Sequence, residues 1–96
     1  MDILFENKTS DGDSPVISIN DGGYRNIKAT GVFGGANITL LADYNDDDFA
    51  PLVEDNIDQT ITKPGVLNLQ PFKPGMRFKA TISGATGTTN ITLNLL

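Results

Sequence analysis

The chain has 96 residues and 39% apolar content, which makes it one small domain with a thin core. It contains no cysteine and no histidine, which removes disulfides, thiol nucleophiles, zinc–thiolate sites and the commonest general base. The net charge of −5 opposes binding to nucleic acid or anionic membrane, and no apolar run approaches the roughly 20 residues of a membrane-spanning helix.

In chain order, Ile3-Leu4-Phe5 opens a short strand that gives way to the polar run Asn7 to Pro15. Val16 to Ile19 forms a second strand, stopped by the turn signal Asn20-Asp21-Gly22-Gly23. Tyr24 to Phe33 alternates through Ile27, Ala29, Gly31 and Phe33, and Gly34-Gly35 reverses the chain into Ile38 to Ala42. After the acidic connection Asp43 to Asp48 come strand-like segments at Phe49 to Val53, at Thr60 to Thr62 and, past Lys63-Pro64-Gly65, at Val66 to Leu69. Pro71 and Pro74-Gly75 precede the strand that begins at Met76, and Thr89 to Leu96 forms the last one. No window of 11 residues holds a helical period, because glycine and proline interrupt any that starts.

One unit occurs twice. Lys28-Ala29-Thr30 leads through a glycine turn to Asn37-Ile38-Thr39-Leu40, and Lys79-Ala80-Thr81 leads through another to Asn90-Ile91-Thr92-Leu93. Each copy reads as a hairpin with one apolar face, and two such faces need each other because a single hairpin is marginal in water. The expected fold is therefore an antiparallel β-sandwich of seven or eight short strands, immunoglobulin-like or jelly-roll in arrangement. Its expected core is Phe5, Ile17, Ile27, Phe33, Ile38, Leu40, Phe49, Leu67, Leu69, Phe78, Ile82, Ile91, Leu93 and Leu95. The strands at Ile3 to Phe5 and Thr89 to Leu96 are candidate open sheet margins. The second carries Leu95 and Leu96 without a blunting charge, which invites a dimer or trimer unless the two strands pair with each other.

Few constellations carry chemistry. Asp43, Asn45 and Asp47 alternate, and Glu54 falls at the twelfth position of a calcium loop. Position six, however, holds Asp48 where such loops need glycine, so a solvated acidic turn explains the same residues. The twelve acids offer chance carboxylate pairs, but no aromatic-lined cleft that a glycosidase would need. Three Asn-X-Thr triplets, at Asn7, Asn37 and Asn90, match the glycosylation acceptor pattern, yet the first residues show no secretory pattern. Lys63, Lys73, Arg77 and Lys79 gather in the second half and read either as a docking surface for an acidic partner or as ordinary mixed surface charge. No residue suggests a cofactor.

The run Gly31-Val32-Phe33-Gly34-Gly35-Ala36-Asn37-Ile38-Thr39-Leu40, followed by Asp47-Asp48-Phe49-Ala50-Pro51-Leu52, resembles a phrase of small virion proteins of tailed bacteriophages. Lys63 to Leu69 and Pro74 to Gly87, with Arg77 and the Ser83-Gly84-Ala85-Thr86-Gly87 turn, resemble the closing half of that family. The resemblance spans about two thirds of the chain, from Tyr24 onward, and departs from the family phrase where Asp48 replaces a glycine. It implies a β-sandwich subunit that coats heads or builds tail and fibre parts, and it transfers no catalytic residue. The expectation is a non-enzymatic capsid decoration or cement subunit, made in the host cytoplasm, resident in the virion and bound to the major capsid protein or other virion proteins. The alternative is a receptor- or glycan-binding module of a tail or fibre, with its site on the loops Asp43 to Asp48 and Gly84 to Thr88 and Tyr44 as the stacking residue.

Overall fold

The computed structural model describes residues 2–19, 25–44, 46–54, 57–58, 60–69 and 74–96. The expected turn Asn20 to Gly23, with Tyr24, Asn45, Pro71 and Lys73, lies outside the described residues. The described chain is all-β and antiparallel, in two layers, as the alternating pattern requires. The strands are β1 (Asp2–Lys8), β2 (Gly12–Asp13), β3 (Ile17–Ser18), β4 (Asn26–Val32), β5 (Asn37–Asp43), β6 (Ala50–Pro51), β7 (Val53–Glu54), β8 (Ile57–Asp58), β9 (Thr60–Ile61), β10 (Gly65–Asn68), β11 (Arg77–Ser83) and β12 (Asn90–Leu95).

One sheet runs β1-β12-β4-β10 and the other β2-β11-β5-β6, with β3 also on β11 and β9 also on β5. Several short strands are pieces of one. β2 and β3 lie along the same side of β11, at Thr81↔Asp13 and Arg77↔Ser18. Between them Pro15 has no N–H to give. The pairing there is carried by Ser14, whose N–H donates to the Ala80 carbonyl and whose Oγ accepts from the Ala80 N–H, at 2.7 and 2.9 Å. Likewise β6 and β9 line β5 in turn, at Ala42↔Ala50 and Ile38↔Ile61, and the β7–β8 pair is an excursion between them. Eight strand positions remain. The last, β12, sits between β1 and β4, and β11 lies in the opposite sheet. In an immunoglobulin arrangement the last two strands would share a sheet; this order is a jelly roll.

The doubled unit is real, but its hairpins are not. β4 pairs with β12 and β5 with β11, so each copy bends across from one sheet to the other and exchanges its strands with the second copy. The registers match: Ala29↔Leu93 and Thr30↔Thr92 in one sheet, Ala80↔Leu40 and Thr81↔Thr39 in the other. The two copies are thus related by a pseudo-twofold through the core. Their turns meet at one end, where the Thr86 hydroxyl donates to the Gly34 carbonyl and the Thr89 hydroxyl to the Phe33 carbonyl, each at 2.8 Å. Phe33 and Ala36 on the first turn are buried, which a surface hairpin loop would not require.

The core holds Phe5, Ile27, Phe33, Ile38, Leu40, Leu69, Phe78, Ile82, Ile91, Leu93 and Leu95 as expected. Leu4, Ile19, Ala29, Ala36, Ile61, Met76 and Ala80 complete it, while Ile17 and Leu67 pack partly buried against it. β1 places both Leu4 and Phe5 inward because its register with β12 slips between Ile3 and Phe5 and again before Lys8. β12 is not a margin: β1 covers one side and β4 the other. Leu95 is a core residue, and among the described residues the margins of this sheet are β1, bulged and charged, and the four-residue β10.

Candidate functional site

Along β11, Phe78, Ala80 and Ile82 face the core, so Arg77, Lys79 and Thr81 face out. Arg77 is opposite Asp43 across the β5 ladder, and its Nε donates to Asp43 Oδ1 at 3.0 Å while Nη2 bonds Asp43 Oδ2. The same Nη2 donates to Asp47 Oδ1 at 2.8 Å, and the Asp47 N–H donates back to Asp43 Oδ2 at 3.1 Å. The Asp43 side chain is wholly buried beneath this lattice, whereas that of Asp47 is 92% exposed. The carboxylates of Asp43 and then Asp47 hold the guanidinium charged well above the ordinary arginine range.

Phe49 follows the acidic turn and lies half-buried with Lys79 Nζ 4.6 Å and Arg77 Cζ 5.4 Å from its ring centroid. It was expected in the core. Instead it packs on the outer side of the sheet, because two cations on one strand offer its ring a face there. Lys79 also pairs with Asp13 at 3.2 Å. A hydrogen bond from Thr81 and then that ion pair lower the Asp13 carboxyl below its usual value of 3.8. The stabilisation this confers is present above about pH 4 and is lost as pH falls through the depressed folded value. Asp13→Asn is expected to lower the urea midpoint at pH 7 slightly, and the difference is expected to shrink as pH falls below about 4.

Of the calcium-loop residues, two are engaged otherwise. Asp43 and Asp47 converge on the guanidinium of Arg77; Asn45 lies outside the described residues, as does the side chain of Glu54 in β7. Among the described residues no three ionisable ligands group for a metal. Among the described basic residues, Lys63 stands apart from Arg77 and Lys79. Lys63 is exposed in the β9–β10 connection, and β9 meets β5 at Ile38, five positions and about 17 Å of strand from Asp43 and Arg77. Lys73 lies outside the described residues. Leu95 is buried and Leu96 is exposed at 44%.

The two loops proposed for a glycan site are also separated. Asp43 is opposite Arg77 at the start of β11, whereas Gly84 to Thr88 follow Ser83 at its other end, about 20 Å away. Tyr44, 60% exposed, stands beside the acidic turn without the second loop.

The charged lattice ties a loop to a sheet. Arg77→Met is expected to lower the denaturation midpoint at pH 7, because it removes the guanidinium that faces the buried Asp43 carboxylate. The double change Arg77→Met with Asp43→Leu is expected to recover most of the loss. A double variant no more stable than the single one would show that the carboxylate is not the cause.

The other sheet presents a different surface. Its outward row is Ile3, Asn94, Lys28 and Val66, next to the central Thr30–Thr92 pair. β12, β4 and β10 carry a single ionisable side chain among them, Lys28. Of the large apolar side chains exposed among the described residues, Ile3, Val32, Val66 and Leu96 belong to this sheet, and Val16 and Tyr44 lie elsewhere. Asn94 Oδ1 is buried here without a hydrogen-bond donor. Sequence reading missed this face although its signal was present: the outward positions of β12 are Asn90, Thr92 and Asn94, polar but uncharged. Compared with known proteins, the chain matches no family model, no curated protein and no solved structure.

Proposed function

We propose that this chain is a non-enzymatic structural subunit of a bacteriophage virion, a decoration or cement protein of the capsid surface. The observation that carries the reading is the contrast between its two faces. On one, Arg77, Lys79, Asp13, Asp43 and Asp47 satisfy one another, which spends the ionisable chemistry on holding a loop to a sheet. On the other, the described residues leave the outer side of β12, β4 and β10 uncovered, with Lys28 the single ionisable side chain on those three strands, and a subunit that works by many small contacts across seams needs such a surface. The jelly-roll order is compatible with a virion role, since that architecture recurs in viral coat proteins, although a fold by itself assigns no function. The resemblance of residues 31–40 and 74–87 to phage virion proteins points the same way. Its partners would be the major capsid protein and neighbouring subunits.

Mass spectrometry of purified virions tests the reading. The expected result is a high copy number on intact particles; absence from the particles would overturn it.

A further inference from the structure

We draw no further inference here: the strongest candidate, the open groove that Thr60 to Leu67 line along the β9–β10 connection, offers only exposed polar side chains, those of Thr60, Thr62 and Lys63, and nothing in the structure shows what covers it.

Discussion

Gly31→Ala is expected to cost about 4 kcal/mol, enough to leave much of so small a domain unfolded at physiological temperature. Gly31 sits in β4 opposite Ile91 with φ at +104°, where L side chains are strained. A Cβ added there would stand 2.1 Å from the Asn90 carbonyl oxygen. That oxygen cannot withdraw, because it belongs to the backbone of β12, paired with β4 on one side and followed into the β1 ladder on the other. Gly35→Ala is the matching control. Its φ is +92°, but nothing lies within 4 Å of the added atom. It is expected to cost only the backbone term, about 1–2 kcal/mol. Urea denaturation of the two variants side by side checks the difference. Equal losses would mean that close approach of β4 and β12 is not what demands the glycine.

Leu95→Ala is expected to cost about 3 kcal/mol, while Leu96→Ala stays within about 0.5 kcal/mol of the wild type. The two leucines are neighbours of the same type, so only their placement separates them. Leu95 is 1% exposed and lies between Asp2 of β1 and Ile27 of β4; its loss opens a cavity in the core. Leu96 is 44% exposed, and its tie to the fold is a backbone N–H donated to the Asn26 carbonyl, which alanine retains. Were β12 an open margin, both changes would be mild in the monomer. Thermal and urea unfolding decide between these outcomes.

Both predictions depend on knowing which strand lies beside which, and that is where sequence reading reached its limit. A period of two tells which side chains of a strand face inward. It placed Ile27, Ile38, Leu40, Phe78, Ile82, Ile91, Leu93 and Leu95 in the core, where each is at most 2% exposed. The same alternation is satisfied whether Lys28-Ala29-Thr30 pairs with its own second strand or with that of the other copy. In either case Ala29 and Leu93 turn inward. The hairpins and the open margin at β12 were wrong for this one reason, since pairing partners are set by long-range packing and not by local pattern. Phe49 failed differently. An aromatic residue after an acidic turn suits a core or a pair of cations equally well, and the choice depends on Arg77 and Lys79, about thirty positions further along.

By itself, then, the sequence determined the all-β class, the inward positions and the doubled unit, because these depend on composition and on neighbours within a few residues. It also contained the opposite charges that now neutralise one another, without indicating which would meet. Tertiary structure alone decided the exchange of strands between the copies, the jelly-roll order and the burial of Asp43 beneath Arg77. Each of those depends on residues brought together from distant parts of the chain: Asp43 with Arg77, Asp13 with Lys79, Thr30 with Thr92. Their contact energies exist only once the two layers have closed on a common core.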